Sequence, residues 1–397
     1  MQPNFSRRIS ALQPSAIREI LKAPDDPDLI TFAAGNPSPD TFPAEKMGNL
    51  AAEIFEKDYA SALQYGISEG YEPLRRDTAA RLREKHGIGR RETDQLIITS
   101  GAQQAIELCA KVLLNEGDTI LCEDPSFIGA LNALRSYGVT LGGIPCMEDG
   151  MDLDALEEYL KSNKNAKLIY TIPDFQNPTG AVMPLKNRLK LIELAQTHNV
   201  MILEDSPYFE LRYDGKSLPS LKALDESGCV IYAGSFSKTI APGIRLGVAL
   251  ASQPIIQKMV VAKQVSDVHS NLFFQILVHR YIERYDLDEH IARCRKIYKS
   301  RRDTMSGALS CHLTSKLTWQ IPQGGLFMWC KLRQGEDSAA LCQMAKEYKV
   351  MAVPGSAFLV NDSLSSHAVR LNFSLPNEEA IKIGIKRLAQ AADSLSV

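Results

Sequence analysis

The sequence predicts an α/β protein with a mostly parallel sheet and a second, smaller α+β domain. Between about residues 46 and 285, apolar strand-like runs alternate with amphipathic helices, a pattern that calls for a sheet covered by helices on both faces. After residue 285 the order changes to a long helix, several short strands and a final helix. The chain has 397 residues, more than one hydrophobic core usually holds, so two domains are expected.

The elements follow from this pattern in order. Residues 1–45 predict an arm packed against the small domain, with a short helix at 15–22 and an extended, proline-rich segment at 32–39. Residues 46–285 form the predicted large domain, and residues 286–397 the small domain. Predicted strands of the large domain are 95–99, 119–122, 168–172, 200–204 and 230–233. A helical stretch over about 254–309 would join the domains, and the small domain adds strands at 319–321, 326–332, 350–353 and 368–373 and a helix at 377–392.

Composition favours a small-molecule partner. The 45 Lys and Arg nearly cancel the 47 Asp and Glu without long runs of one sign, which argues against nucleic acid or an anionic membrane surface. We expect a cytoplasmic protein, because no signal core or membrane-length apolar stretch is present and the eight cysteines are scattered. No metal-ligating spacing of His and Cys occurs, so no metal is expected.

The most informative segment surrounds Lys238. It reads Gly-Ser-Phe-Ser-Lys-Thr-Ile-Ala-Pro-Gly-Ile-Arg-Leu-Gly over residues 234–247. A desolvated lysine loses its proton and condenses with an aldehyde, while Ser235, Ser237 and Arg245 supply donors for a phosphate. The alternative is a solvated surface lysine in a serine loop. The turn at Pro242 returns Arg245 to the same neighbourhood, and this favours pyridoxal phosphate.

Other candidate groups directly follow predicted strands, where ligands of such sheets gather. Gly101, Ala102 and Gln103 open a helix whose amide hydrogens suit a phosphate. An ordinary helix cap by Ser100 explains that segment equally well. Phe127 offers a face for a planar ring, although a single Phe is more often part of the core.

Four further polar residues lie in or after later strands. Asn177, in an Asn-Pro-Thr-Gly turn, presents an amide suited to a ring oxygen, although the turn also has a structural explanation. Asp205 would keep a pyridine nitrogen protonated, and the alternative is that it caps a helix. Tyr208 follows three residues later. Arg370, in an apolar strand, needs an anion such as a substrate carboxylate or an internal salt bridge.

These motifs, with the Ser-Ala-Ile-Arg-Glu-Ile-Leu run at 15–21, Leu-Gln-Tyr at 63–65 and Ala-Lys-Gln at 262–264, make the chain similar to a known family. Over nearly its whole length it resembles the fold-type I pyridoxal phosphate aminotransferases of class I/II, nearest to 2-aminoadipate and multi-substrate aminotransferases. The resemblance implies a fold-type I transferase whose large domain has a mostly parallel, seven-stranded sheet.

The resemblance also implies a role for each site residue. Lys238 would bond covalently to the cofactor, Asp205 would pair with the ring nitrogen, Asn177 and Tyr208 would bind the ring oxygen, and Phe127 would lie against the ring. The phosphate would be held by Gly101, Ala102, Gln103, Ser235, Ser237, Arg245 and, from the neighbouring subunit of a homodimer, Tyr65. Arg370, Asn177, Gly35 and Arg18 would bind substrate. Ala102 and Phe127 depart from the Ser and Tyr frequent in the family, removing two hydroxyls at a cost of about 1 kcal/mol each.

The implied activity is amino-group transfer from an L-amino acid to a 2-oxo acid such as 2-oxoglutarate by a ping-pong mechanism. Arg18 on the arm suggests glutamate or 2-aminoadipate as donors, and aromatic or branched aliphatic donors stay open. Two alternatives are a pyridoxal phosphate-dependent β-elimination lyase and the effector-sensing module of a transcription regulator. The second needs an added N-terminal DNA-binding domain, while only about 45 residues precede the catalytic pattern.

Overall fold

The computed structural model describes residues 3–10, 12 and 26–395. The helix predicted at 15–22, and Arg18 within it, lie outside the described residues. The strands are β1 Ile30–Thr31, β2 Asp94–Thr99, β3 Thr119–Asp124, β4 Thr140–Met147, β5 Gly150–Met151, β6 Ala166–Thr171, β7 Met201–Asp205, β8 Val230–Ser235, β9 Gly247–Ser252, β10 Leu317–Trp319, β11 Phe327–Leu332, β12 Val350–Met351, β13 Val353–Pro354 and β14 Ala368–Asn372.

The large sheet has the strand order β2-β9-β8-β7-β6-β3-β4-β5. Strands β8, β7, β6, β3 and β4 run parallel, whereas β9 is antiparallel to both its neighbours. The predicted α/β fold is confirmed. The sheet has eight strands rather than seven, because the two-residue β5 pairs antiparallel with β4 at one edge.

The helices are α1 Arg7–Ser10, α2 Ala44–Lys57, α3 Tyr59–Ala62, α4 Glu72–His86, α5 Ala102–Leu113, α6 Ile128–Arg135, α7 Leu153–Ser162, α8 Leu185–His198, α9 Leu221–Leu224, α10 Gln253–Gln264, α11 Leu272–Arg284, α12 Leu287–His312, α13 Ser338–Glu347 and α14 Glu378–Ser394. The single helical stretch predicted over 254–309 is wrong, because three helices occupy it. The side chains of Asn271 and Asp286 cap the second and third, and such caps favour a new helix start over continuation.

Alternation along the parallel strands divides the core between the two faces of the sheet. Ile120 and Cys122 of β3, with Tyr170 of β6, belong to one buried cluster that includes α5 and α12. Their neighbours Leu121 and Ile169 belong to another cluster that includes α7 and α8. Successive side chains of a strand point to opposite faces, so the sheet is covered on both, as the sequence predicts.

A second sheet brings the C-terminal residues to the site. Its strand order is β10-β11-β14-β13, and Arg370 of β14 lies opposite Trp329 and Val353. The segment that follows β1 runs beside this sheet, because the amide of Phe32 donates to Met351 O and the amide of Asn372 donates to Phe32 O. No helix within the described ranges is long and apolar enough to cross a membrane.

Candidate active site

The predicted site residues converge at one edge of the large sheet. Gly101 follows β2, Phe127 follows β3, Asn177 follows β6, Asp205 ends β7 and Ser235 ends β8. Arg245 directly precedes β9, whose antiparallel direction starts it at this same edge. Ligands of α/β sheets bind in the crevice outside the carboxyl ends of the strands, so the topology assembles the site from segments distant in sequence.

Lys238 lies three residues beyond β8 and is partly buried. Its Nζ donates a hydrogen bond to Gly35 O at 2.8 Å. Burial lowers the pKa of Lys238 to about 8, and the positive charges of Arg370 and Arg245 act in the same direction while Asp205 opposes them. The amine is therefore partly neutral near neutral pH, as a nucleophile or a general base requires. The alternative of a solvated surface lysine is wrong.

Asp205 is 2 % exposed. Its Oδ2 accepts a hydrogen bond from the hydroxyl of Tyr170 at 2.8 Å, whereas its buried Oδ1 has no hydrogen-bond partner among the described residues. Burial raises the pKa of Asp205 to about 6, against the effects of Tyr170 and Lys238. An unpaired buried carboxylate oxygen is costly, so this atom is suited to receive an N–H from a bound ligand.

Arg370 is also 2 % exposed. Its guanidinium donates to Asn177 Oδ1 at 2.9 Å and to Ala33 O at 2.7 Å, while its buried Nε has no hydrogen-bond partner in the part of the chain that the structure describes. The rings of Phe327 and Phe358 lie 4.2 Å and 4.6 Å from the guanidinium carbon. Burial lowers the pKa of Arg370 to about 9, which leaves it cationic at neutral pH.

No carboxylate within the described ranges pairs with Arg370, so the internal salt bridge weighed above is not found there. A buried cation without an anion is unfavourable, and stacking on two aromatic rings offsets only part of that cost. Arg370 is thus prepared for a carboxylate ligand.

The segment after β1 contacts both Arg370 and Lys238. Ala33 O accepts from Arg370 and Gly35 O accepts from Lys238. A Cβ on Gly35 would lie 3.1 Å from Cζ of Phe327, so a larger residue would press on the ring beside Arg370. Gly35, predicted to bind substrate, holds Lys238 in this structure.

Two aromatic residues border the space between these groups. Tyr208 is buried and lies edge-to-face on Phe327, with ring centroids 5.9 Å apart. Burial raises the pKa of Tyr208 above its usual value, and nearby Arg370 lowers it, so the phenol stays protonated and can donate. Phe127 is half-buried, which leaves ring surface for a planar ligand.

The predicted phosphate seat lies at the start of α5, next to Arg245 and the end of β8. Gly101 occupies the N-cap position of α5 with φ of +81°, and no side chain among the described residues caps this helix. The amides of Ala102 and Gln103, in the first turn, have no intrahelical acceptor. Arg245 donates from Nη2 to Ser100 O at 3.2 Å. Ser235 Oγ accepts from the amide of buried Ser237 at 3.1 Å.

The close approach of β9 to the start of α5 explains why residue 247 is a glycine. A Cβ on Gly247 would lie 2.6 Å from Gly101 C and 2.8 Å from Ala102 N, so only glycine lets β9 pass the start of α5. The alternative of a helix cap by Ser100 is wrong, because its hydroxyl bonds Asp267 at 3.0 Å and Ser270 at 3.1 Å instead.

Tyr65, predicted to act in a neighbouring subunit, is 80 % exposed. Its ring lies 5.9 Å from that of His269 in an edge-to-face arrangement. Large apolar side chains around it are also exposed, namely Tyr59, Leu63, Ile67, Val265 and Val268. A concentration of exposed apolar side chains marks an interaction surface.

Sequence reasoning missed the residues that hold the site in shape. Glu123, fully buried, accepts from Thr171 Oγ1 at 2.6 Å and from Gln176 Nε2 at 3.1 Å, and Gln176 also donates to Pro125 O at 2.9 Å. This joins the loop of Phe127 to the loop of Asn177. Burial raises the pKa of Glu123 to about 7. The available signal was a carboxylate at the end of an apolar strand, the same signal that singled out Asp205.

The arrangement fits pyridoxal phosphate. The unpaired Oδ1 of Asp205 suits a ring N–H, the amine of Lys238 suits an aldehyde, and the uncapped start of α5 with Arg245 suits a phosphate. No group of three or more His, Cys, Asp or Glu that could hold a metal ion occurs among the described residues.

Known proteins are similar to this chain over nearly its full length. The sequence model of the family "Aminotransferase class I and II" matches residues 27–388. The chain is 42 % identical to aromatic-amino-acid aminotransferase 1 of Thermococcus litoralis, covering 97 % of this chain and 93 % of the relative.

Two solved structures extend the similarity to three dimensions. Kynurenine aminotransferase of Pyrococcus horikoshii, in complex with PMP, is 40 % identical with a TM-score of 0.94 over 98 % of this chain and 97 % of that one. LysN, the alpha-aminoadipate aminotransferase of Thermus thermophilus, complexed with N-(5'-phosphopyridoxyl)-L-leucine, is 36 % identical with a TM-score of 0.90 over 99 % and 98 %. The chain therefore belongs to the aminotransferase class I and II family and is a pyridoxal phosphate-dependent transaminase.

Proposed function

We propose that this transaminase moves the amino group of an L-amino acid to a 2-oxo acid such as 2-oxoglutarate by a ping-pong mechanism. The observation that carries the proposal is the guanidinium of Arg370, buried without a carboxylate partner among the described residues and connected through Gly35 and Ala33 to Lys238. Every amino acid and 2-oxo acid has an α-carboxylate, so this cation serves both half-reactions.

Each residue has a proposed task. Arg370 binds the α-carboxylate and Asn177, its hydrogen-bond partner, keeps the guanidinium in place. Asp205 would place a negative charge beside the ring nitrogen, and the hydroxyl of Tyr208 would donate a hydrogen bond to a ring oxygen. Gly101, Ala102, Gln103, Ser235, Ser237 and Arg245 hold the phosphate, and the face of Phe127 packs on the ring. Bound pyridoxal phosphate supplies an aldehyde that takes up the substrate amine and a ring that accepts electrons from the α-carbon.

Lys238 moves the proton. Its pKa of about 8 leaves a fraction of neutral amine at neutral pH, and Nζ is held beside the space bounded by Asp205 and Arg370. The neutral amine would remove the α-proton of the donor and deliver it to the cofactor carbon bonded to the amino nitrogen. Water would then supply the oxygen of the departing 2-oxo acid, and the amino group would stay on the cofactor. Because the same groups bind the second 2-oxo acid, the same proton transfers in reverse order complete the cycle.

The proposed donors are glutamate, 2-aminoadipate, aromatic and branched aliphatic amino acids. The names of the similar enzymes, which refer to aromatic amino acids, kynurenine and alpha-aminoadipate, support this range. We propose that Arg18 meets the distal carboxylate of glutamate or 2-aminoadipate. The Arg18→Ala variant should raise KM for those donors and leave leucine unaffected, and equal, unchanged kinetics for glutamate and leucine would contradict the role.

The working unit in this proposal is a homodimer in which each subunit supplies Tyr65 to the partner's phosphate seat. The exposed surface of Tyr59, Leu63, Tyr65, Ile67, Val265 and Val268 supports it, because a second copy would cover these apolar groups. The exposure of Tyr65 also supports it, since the hydroxyl is available to a ligand outside its own subunit.

A cytoplasmic location is part of the proposal. All eight cysteines are free, and five of them are buried. Thiols that remain unpaired fit a reducing compartment, where disulfides are rare.

The decisive experiment is the visible absorption spectrum of the protein with pyridoxal phosphate while single amino acids are added. Conversion to the amine form of the cofactor by glutamate, 2-aminoadipate or an aromatic donor, and reversal by 2-oxoglutarate, would establish the two half-reactions. A spectrum that no donor changes would contradict the proposal. Release of pyruvate and ammonia from cysteine conjugates without reversal by 2-oxoglutarate would instead assign a lyase.

A further inference from the structure

The motif Ala-Lys-Gln at 262–264 has no role in the chemistry described so far. Its lysine, Lys263, lies near the end of α10 with a side chain that has no exposed surface. The ammonium donates to Gln104 Oε1 at 2.7 Å, to both carboxylate oxygens of Asp267 at 2.9 Å and to Ser270 Oγ at 2.9 Å. A buried ammonium with such acceptors fixes the relative positions of the segments that carry them.

The acceptors of Lys263 converge on one residue, Ser100. The amide of Ser100 donates to Gln104 Oε1 at 2.8 Å, and its hydroxyl donates to Asp267 Oδ2 at 3.0 Å. Gln104 Nε2 donates to the same oxygen of Asp267 at 2.7 Å. Ser100 is thus held at two of its polar atoms by groups that Lys263 itself orients.

Ser100 is in turn the residue from which the proposed phosphate seat starts. Its carbonyl oxygen accepts from Nη2 of Arg245 at 3.2 Å, and the next residue, Gly101, opens α5. A Cβ on Gly101 would lie 2.7 Å from that same Nη2, so Arg245 and the helix start are in close contact. A shift of Ser100 would move both sets of phosphate donors.

The turn that carries Asp267 has an enforced geometry. The amides of Ser266, Asp267 and Val268 all donate to Lys263 O, and Val268 has φ of +64°. A β-branched residue in the left-handed region is strained and persists only where surrounding contacts impose it. The Lys263 ammonium contacts Asp267, which precedes this strained residue, and Ser270, which lies two residues after it.

We propose that Lys263 is a positioning residue for the cofactor phosphate: through Gln104, Asp267 and Ser100 it holds the start of α5 and Arg245 in the arrangement that binds the phosphate. The inference rests on the proposed location of the phosphate seat. It assigns to Lys263 a contribution to phosphate recognition and no contact with the reacting atoms.

The test compares two ligands of the cofactor-free protein, pyridoxal phosphate and pyridoxal, which differ only in the phosphate. The ratio of their dissociation constants measures phosphate recognition, whereas a general loss of structure weakens both. The Lys263→Met variant should lower the preference for pyridoxal phosphate about tenfold, the loss typical of one charge-assisted hydrogen bond. The Lys258→Met variant is the matched control, because Lys258 lies on the same helix and is exposed.

A second variant separates positioning from stability. Lys263→Met leaves the carboxylate of Asp267 without its cation, which destabilises the fold. The double variant Lys263→Met/Asp267→Asn removes both charges, so it should recover most of the thermal midpoint and still show the reduced preference. Recovery of the preference together with the midpoint would overturn the proposal, as would an equal loss of affinity for both ligands.

The Arg245→Ala variant distinguishes failure of this inference from failure of the seat. If Arg245→Ala lowers the preference and both Lys263 variants leave it unchanged, the seat is correct and the role of Lys263 is wrong. If Arg245→Ala also leaves the preference unchanged, the proposed seat itself is wrong and the role of Lys263 falls with it.

Discussion

The two halves of the candidate site differ in their contact with water. Asp205, Asn177, Tyr208 and Arg370, which would surround the cofactor ring and the substrate, are buried, whereas Arg245, Gln103 and Tyr65 on the phosphate side are exposed. In the buried half, Asp205 Oδ1 and Arg370 Nε have no hydrogen-bond partner within the described ranges. A reaction that depends on charged side chains benefits from the exclusion of water, because electrostatic interactions are stronger in a low dielectric. Holding a phosphate needs only converging donors, and those can be supplied at the surface, even by a second subunit.

Burial also shifts the pKa values of charged groups that border the buried half. Burial moves the pKa of Lys238 down to about 8 and that of Asp205 up to about 6. Both shifts disfavour charge, and a ligand that pairs with these groups relieves the cost. Substitutions in the buried half should therefore alter rates and titration, while those in the exposed half should alter cofactor retention.

The largest effect is expected at Lys238. The Lys238→Ala variant should lose turnover by at least about 10⁴-fold, because it removes the group that moves the α-proton. Steady-state rates with glutamate and 2-oxoglutarate measure the loss, and circular dichroism and sedimentation test that fold and assembly persist. Near-native turnover would contradict the assignment of Lys238.

Asp205→Asn should lower kcat about 10³-fold, the upper range for removing one preorganised electrostatic group. The same change should stabilise the cofactor-free protein at pH 8. The folded pKa of Asp205, about 6, lies above its usual 3.8, so folding favours the protonated form. Its contribution to stability is complete below pH 3.8 and is lost as the pH rises through 6.

The asparagine lacks this loss, so the free energy of unfolding of Asp205→Asn should exceed that of the native protein by up to about 3 kcal/mol at pH 8, because the pKa of Asp205 rises from 3.8 to about 6 on folding. Thermal midpoints of both proteins at pH 4 and pH 8 measure the difference. If the difference in thermal midpoint between the variant and the native protein is the same at pH 8 as at pH 4, Asp205 is better solvated than its burial indicates.

Arg370→Ala should lower kcat/KM for all L-amino acids by a similar factor of about 10², because it removes the buried cation for a carboxylate that they share. Phosphate binding, in the exposed half, should not change. Kinetics with glutamate, leucine and phenylalanine, beside the ratio of dissociation constants for pyridoxal phosphate and pyridoxal, measure both halves. A loss confined to glutamate would instead place Arg370 at the distal carboxylate.

The smallest effect is expected at Tyr65. The Tyr65→Phe variant should raise the dissociation constant of pyridoxal phosphate about tenfold, the loss of one hydrogen bond to a charged group. Mixing it with the inactive Lys238→Ala variant tests where the hydroxyl acts. If Tyr65 serves the partner, mixed dimers contain one site with both native residues, and about a quarter of all sites then bind the cofactor with native affinity and turn over. If mixing the two variants produces no sites with native affinity and turnover, Tyr65 acts in the site of its own subunit or in neither site.

Much of the site was predictable because chemistry and position coincide in the sequence. Asp205 and Asn177 follow apolar strands, and parallel strands bring such ends to one edge. Lys238 and Arg245 lie in one short run that a turn folds back. Supporting residues were harder to find: Tyr170 looks like an ordinary core residue, and its hydroxyl bond to Asp205 depends on the registration of β6 beside β7.

The sequence by itself determined the parallel sheet, the family and the polar groups at the strand ends, because periodicity, turn residues and motifs are local properties of the chain. Only the tertiary structure decided which atoms stay unpaired, that Ser100 serves Asp267 rather than the helix end, and that Lys263, 163 residues along the chain from Ser100, bonds to the groups that hold it. The reason is physical: burial and hydrogen-bond geometry arise from contacts between distant segments, and no local pattern specifies them.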